Sequence, residues 1–313
     1  MSTTILLCPG QGAQHVGMGR AWYDQHDAAR KVFDAADLEL GIPLSSLCFN
    51  GPEDQLNRTD VAQAAIYTTS VACHAALVAQ GKIDPKDLLA AAGLSLGEFT
   101  ALHLAGGFDF IDGLRLVRLR GQAMQQAAEA SPSGMVALVG ADEAQAGAVC
   151  DEALNDPENK GEEVLVPANL NCPGQVVISG SAAACTRAVV VAGKLGLKAT
   201  PLTVAGAFHS PLMQPAADRL AEALESVKWS TPRVPVLSNV TAEPHDAAHL
   251  SHVKKRLVEQ LTHPVRWSQS MQWAAANLGT DKRYVELAPG KVLMGLMRRI
   301  DRAIKVENHA DPA

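Results

Sequence analysis

Five residues, Gly93-Leu94-Ser95-Leu96-Gly97, constrain this chain more than any others because of what stands on either side of them. The run Leu88-Leu89-Ala90-Ala91-Ala92 leads in as a short buried strand, and Glu98-Phe99-Thr100-Ala101-Leu102 leads out as a helix. A strand that turns sharply into a helix exposes the hydroxyl at the turn, and small flanking glycines let neighbouring backbone pass close by. Free N–H groups at the helix start favour negative charge developing there. Ser95 is therefore the first candidate nucleophile, set against the plainer role of a serine that only caps a helix.

A second segment bears on the same point. Ile5-Leu6-Leu7-Cys8 reads as a strand running into Pro9-Gly10-Gln11-Gly12-Ala13-Gln14, a Gly-rich turn able to place a main-chain N–H beside the elbow. The turn lacks the Gly-Lys-Ser/Thr of a phosphate loop and the third glycine of a dinucleotide fingerprint, so nucleotide binding is set aside.

With 313 residues and 47% apolar content, the chain can bury a large core, as one big domain or as a big domain carrying a smaller insert. It contains no run of about 18 apolar residues, and no membrane span is expected. Met1-Ser2-Thr3-Thr4 offers no basic residue ahead of the first strand, so no secretory leader is expected either. Six cysteines, Cys8, Cys48, Cys73, Cys150, Cys172 and Cys185, show neither Cys-x-x-Cys spacing nor pairing with histidine, which fits reduced thiols in a cytoplasmic protein. A net charge of −6 and a pI near 5.9 argue against a general nucleic-acid surface. An acidic partner would have to dock on a local basic patch.

Strand and helix signals alternate up to about residue 128. Residues 71–78 and 113–120 have helical apolar spacing on either side of the elbow strand, which suits a parallel sheet covered by helices on both faces. Ser131-Pro132-Ser133-Gly134 then punctuates the chain. Beyond it come a strand at 135–139, a helix at 142–154, strands at 164–169 and 175–179 joined through Asn171-Cys172-Pro173-Gly174, a helix at 181–195 and a strand at 199–204. That order, β-α-β-β-α-β, is the split ferredoxin-like unit. The expectation is an α/β-hydrolase-like large subdomain with a parallel sheet, residues 1–130 and 205–313, carrying an inserted ferredoxin-like subdomain, residues 131–204.

At the point of return, Ala205-Gly206-Ala207-Phe208-His209-Ser210-Pro211 puts a histidine after a strand and ahead of a helix. A serine elbow needs a base near neutral pH, which makes His209 the leading candidate among ten histidines. No second ligand at metal spacing surrounds it, so no metal is expected.

Taken in order, Pro9-Gly10-Gln11-Gly12, the Gly93-to-Glu98 elbow, Leu119-Arg120-Gly121, Asn169-x-Asn171-x-Pro173-Gly174-Gln175, Phe208-His209, Ser238-Asn239-Val240-Thr241 and Pro264-Val265-x-Trp267 form a pattern. It resembles the malonyl-CoA:acyl carrier protein transacylases of bacterial fatty acid synthesis and the related acyltransferase domains of polyketide synthases, from about residue 5 to residue 305. The resemblance implies a ping-pong transfer in which Ser95 takes the malonyl group from malonyl-CoA, releasing coenzyme A, and passes it to the phosphopantetheine thiol of acyl carrier protein. It implies that His209 moves the proton, that the main-chain carbonyl of Gln260 holds its other ring nitrogen, and that the N–H groups of Gln11 and Leu96 stabilise the oxyanion. Arg120 would grip the malonyl carboxylate with its planar fork. Phe208, Asn169 and Asn239 would line the substrate, Phe208 filling the space a methylmalonyl branch needs. No resident cofactor is expected, and a monomer is.

Two positions depart from that pattern. Leu94 stands where many relatives carry histidine, and Ala13 where a serine is common; the loss of a polar neighbour at Leu94 implies a different rate or substrate tolerance. Docking of the acidic carrier protein would fall to clustered cations, with Lys194, Lys198, Arg298, Arg299 and Arg302 as candidates. The alternatives are transfer into a polyketide or malonate-decarboxylase pathway, a serine thioesterase using Asp142 or Asp151 as its acid, and a non-catalytic carrier-binding module.

Overall fold

The computed structural model describes residues 3–155 and 163–312. Its first sheet has the order β2-β1-β7-β8, built from Thr4–Cys8 (β1), Leu88–Gly93 (β2), Arg283–Leu287 (β7) and Val306–His309 (β8), all parallel. Side chains alternate across it. Leu6, Cys8, Ala91, Val285 and Leu287 enter one core with the helices Thr59–Ala79 and Phe110–Ala130, while Ile5, Leu7, Ala90, Ala92 and Tyr284 enter another with the helices Trp267–Leu278 and Val292–Ile300. Helices thus cover both faces, as a buried parallel sheet requires.

The second sheet, order β4-β5-β3-β6, is antiparallel and consists of Ser133–Val139 (β3), Leu165–Cys172 (β4), Gln175–Ser181 (β5) and Lys198–Pro201 (β6). Two helices, Glu143–Leu154 and Ala182–Lys194, close its own apolar core. This is the ferredoxin-like order. Asp142 starts the first helix in a reciprocal capping box with Gln145, and Pro173-Gly174, with Gly174 at φ 73°, makes the tight turn between β4 and β5.

Two expectations need correction. Between β1 and β2 the chain does not alternate: it forms five successive helices, Arg20–Gln25, Asp27–Leu40, Leu44–Asn50, Glu53–Asn57 and Thr59–Ala79. The last strand of the small sheet ends at Pro201, because only residues 198–201 find a partner in β3. The helix Thr59–Ala79 is long and apolar enough to cross a membrane, yet most of it lies inside the core against Phe110–Ala130. Its polar Gln63, Thr68, Thr69 and Ser70 are buried in protein.

Two irregular segments carry the distant part of the chain to the elbow. Residues 235–237 pair with the free edge of β2, Ala91 donating to the Pro235 carbonyl at 3.0 Å and Leu237 to the Ala91 carbonyl at 3.0 Å. Val265 bridges β4, its N–H on the Ala168 carbonyl at 2.8 Å and its carbonyl accepting from Leu170 at 2.9 Å. Asn239 and Gln260 are fixed by these anchors.

Candidate active site

The elbow forms because its glycines cannot be anything else. A Cβ on Gly93 would fall inside the main chain of Gly97, and one on Gly97 inside the Cys8 carbonyl of β1. The compression leaves Ser95 at φ 52°, ψ −106°, a strained conformation for a serine that aims Oγ away from the helix Leu96–Leu104. No hydrogen bond from the Ser95 hydroxyl caps that helix, so the capping alternative fails.

Instead, Ser95 Oγ lies 2.9 Å from His209 Nε2. The His209 ring, itself at φ 58° and buried, turns its Nδ1 to the Gln260 carbonyl at 2.7 Å. That acceptor assigns the proton to Nδ1 and leaves the Nε2 lone pair facing the hydroxyl. Burial first, and the neighbouring Arg120 charge second, pull the His209 pKa down to about 4, with the Gln260 carbonyl opposing. The imidazole is therefore neutral at physiological pH and able to accept a proton.

Arg120 reaches the same hydroxyl. On the helix Phe110–Ala130, Arg115 points outward to Glu39 and Arg118 reaches the Asp60 carbonyl, whereas Arg120 is fully buried. Its Nη2 donates to Ser95 Oγ at 3.0 Å and to Gln260 Oε1 at 2.8 Å, its Nη1 to Gln63 Oε1 at 2.7 Å, and its Cζ lies over the Phe99 ring, 5.4 Å from the ring centre. Burial lowers its pKa to about 9 against the opposing charge of Glu98, which leaves it cationic at neutral pH. Arg120 Nε is buried with no partner. A guanidinium has the planar donor geometry that suits a carboxylate.

The other expected residues divide. Leu96 opens its helix, so its N–H has no intrahelical acceptor. The turn carrying Gln11 packs on the elbow: a Cβ on Gly10 would meet the Leu94 carbonyl, and Leu94 donates to the Cys8 carbonyl at 3.1 Å. Gln11 extends its own side chain to Thr59 at 3.3 Å. Asn239 has both amide atoms committed to the elbow's main chain, Oδ1 accepting from Ser95 N–H at 2.7 Å and Nδ2 donating to the Gly93 carbonyl at 2.7 Å. Phe208 is buried in the larger core beside His209, and Asn169 is half-buried on β4 where Val265 bridges it. Leu94, half-buried, packs on the apolar core behind the sheet.

Three participants had no signal of their own in the sequence. Gln63 sits mid-helix, Glu98 closes the elbow motif with no role attached to its side chain, and His245 lies in an irregular polar stretch. Asp142 caps its helix, and the place a triad acid would take beside His209 Nδ1 is filled by the Gln260 carbonyl. All six cysteines are buried and free, and burial raises each thiol pKa.

Fold and site together define an acyltransferase. The Acyl transferase domain family model matches residues 5–309. Malonyl CoA-acyl carrier protein transacylase of Bacillus subtilis is 41% identical over 316 residues, covering 100% of this chain and 95% of that protein. The crystal structure of malonyl-CoA:acyl carrier protein transacylase from Xanthomonas oryzae superposes with a TM-score of 0.92 at 41% identity, covering 100% and 96% of the two chains. A malonyl-transacylase solved in complex with a type II PKS acyl-carrier protein gives 0.92 at 34% identity, covering 99% and 97%. The chain belongs to the acyl transferase domain family, among its malonyl CoA-acyl carrier protein transacylases.

Proposed function

We propose that this protein moves a malonyl group from malonyl-CoA through a seryl ester on Ser95 to the phosphopantetheine thiol of acyl carrier protein, supplying fatty acid synthesis in the cytoplasm. One observation carries the reading: a single hydroxyl, Ser95 Oγ, is shared at hydrogen-bond distance by a neutral imidazole and a buried guanidinium. In this reading residues 1–130 and 205–313 form the catalytic portion and 131–204 the smaller one.

Ser95 Oγ attacks the thioester carbonyl while its proton passes to His209 Nε2, and the Gln260 carbonyl holds the ring as it becomes charged. The N–H groups of Gln11 and Leu96 receive the oxyanion, each such donor typically worth roughly 3–4 kcal/mol. When the C–S bond breaks, the proton on Nε2 leaves with the coenzyme A thiol. In the second half, His209 takes the proton of the carrier thiol, sulfur attacks the ester carbonyl, the bond between that carbon and Ser95 Oγ breaks, and the proton on Nε2 returns to Oγ. Arg120 releases the hydroxyl and pairs with the malonyl carboxylate, which a neutral acetyl group cannot exploit. Phe208 and Asn169 shape the acyl pocket, and Asn239 holds the elbow in register.

Intact-protein mass spectrometry tests the reading. Wild type incubated with malonyl-CoA should gain one malonyl adduct that is discharged to a carrier thiol faster than to water, and Ser95→Ala should gain none while keeping its melting temperature. An adduct on Ser95→Ala moves the nucleophile elsewhere, and discharge mainly to water makes the enzyme a thioesterase.

A further inference from the structure

Beneath the elbow lies a carboxylate that the reaction does not use. Glu98, third residue of the helix Leu96–Leu104, is fully buried, and among the described residues no lysine or arginine pairs with it directly. Its Oε1 lies 2.6 Å from Nε2 of His245, whose side chain is 1% exposed. Its Oε2 accepts from Gln260 Nε2 at 2.6 Å and from the Asn239 N–H at 3.1 Å. A carboxylate taken out of water costs several kcal/mol unless its oxygens are filled, and here three donors fill them.

Those donors belong to the residues that hold the reacting groups. Gln260 supplies the carbonyl for His209 Nδ1 and the Oε1 for Arg120 Nη2, and its Nε2 also reaches the Ser95 carbonyl at 3.0 Å. Asn239 holds the Ser95 N–H and the Gly93 carbonyl. An arginine can only donate and an ionised carboxylate can only accept, so a Gln260 amide between them has one orientation, oxygen to Arg120 and nitrogen to Glu98. Both residues lie outside the strands, Asn239 two residues beyond the bridge to β2 and Gln260 at the end of the helix Leu250–Glu259, so their side chains are held by these contacts. A single buried acceptor thus locks two independent segments to one elbow.

We propose that Glu98, braced by His245, is a positioning residue that fixes Gln260 and Asn239 and through them the relative placement of Ser95, His209 and Arg120. The inference rests on the roles given to those three above. A displacement of about 1 Å at a reacting group can cost about 10²-fold in rate, so a lost acceptor at Glu98 is felt at Ser95 without touching substrate. It is felt unequally by different acyl groups, because the Arg120 fork is aimed by the Gln260 amide.

Burst-phase acylation by malonyl-CoA and by acetyl-CoA, normalised to the folded fraction by circular dichroism, separates this from a role in stability alone. Glu98→Ala should load malonyl about 10²-fold more slowly. Its malonyl-to-acetyl rate ratio should fall about ten-fold, since acetyl does not use the Arg120 contact. Glu98→Gln retains an oxygen that accepts from Gln260 and Asn239 and should restore most of the loss. His245→Ala leaves the carboxylate but removes its brace, and should shift the ratio in the same direction by a smaller factor. If folded Glu98→Ala loads at the wild-type rate and ratio, whatever its melting temperature, the inference is overturned. If Glu98→Ala does not fold, an unchanged ratio in His245→Ala overturns it. Ser95→Ala in the same assay keeps the two claims apart: an adduct there defeats the proposed function, whereas no adduct there with unaffected Glu98 and His245 variants defeats only the positioning role.

Discussion

In the proposed reaction, Arg120 is the residue on which selectivity would turn. It is an expensive residue to bury, and its Nε has no partner among the described residues. A carboxylate arriving at Ser95 offsets that cost, and a neutral acyl group does not. Arg120→Ala should therefore lose malonyl loading by at least about 10²-fold while its activity toward acetyl-CoA, relative to malonyl-CoA, rises. Competing the two thioesters in one reaction and weighing the acyl-enzymes measures the ratio directly. Equal losses for both would make Arg120 a support of the fold, tied as it is to Gln63 and Gln260. The neighbouring Arg115, on the same helix but paired with Glu39 in solvent, shows how little residue type alone decides.

At the scale of elements, the elbow is a contact of three backbones with no room for a side chain between them. Gly97 abuts the Cys8 carbonyl at the end of β1, and Leu94 donates to that same carbonyl. Gly97→Ala must push β1 and the Leu96–Leu104 helix apart, and the expected cost is about 3 kcal/mol or more. Urea denaturation reads it. A loss below about 1 kcal/mol would show that strand and helix separate freely, and the rigid placement of Ser95 would lose its basis.

On the scale of the molecule, two properties follow from where charge is buried and where it is exposed. His209 and His74 are held near pKa 4, in each case chiefly by burial, whereas an unfolded histidine titrates near about 6.5. Between those values the unfolded chain binds more protons than the folded one, so stability falls as the pH drops from about 6.5. Glu286, raised by burial, opposes this at the acid end, so the loss should be clearest between about pH 6.5 and 5.5. Melting temperatures that stay level across that interval would mean that these imidazoles are not neutral by burial. The second property is docking. The five candidate cations are all exposed, but Arg299 donates to the Pro173 and Gly174 carbonyls at 3.2 and 3.3 Å and pins the hairpin of the small sheet to the Val292–Ile300 helix. Charge reversal there would break a seam as well as a surface, which leaves Lys194, Lys198, Arg298 and Arg302 as the cleaner sites. Transfer to carrier protein should weaken as salt rises, with self-malonylation changing less, since exposed charges are screened over about 8 Å at physiological salt. A carrier step indifferent to salt would end the electrostatic docking idea.

Some of this was written in local order along the chain. Periods of two and of three to four placed the strands, the flanking helices and the β-α-β-β-α-β order of the second sheet, because an element shorter than about twenty residues advertises the face it buries. The elbow was legible because Gly93, Ser95 and Gly97 are neighbours in sequence as they are in space. The run of helices between β1 and β2 was misread as alternation, since short apolar stretches look alike as strand or helix. The Gln260 carbonyl behind His209 came only through the family resemblance, and tertiary structure alone decided that Asn239 spends its amide on the elbow and that Gln63, Glu98 and His245 lie around it. Gln260 lies 165 residues from Ser95 and His245 lies 147 from Glu98. No local pattern encodes such contacts. They exist because residues 235–237 pair with the edge of β2 and Val265 with β4, and only the folded sheets bring those edges to one place.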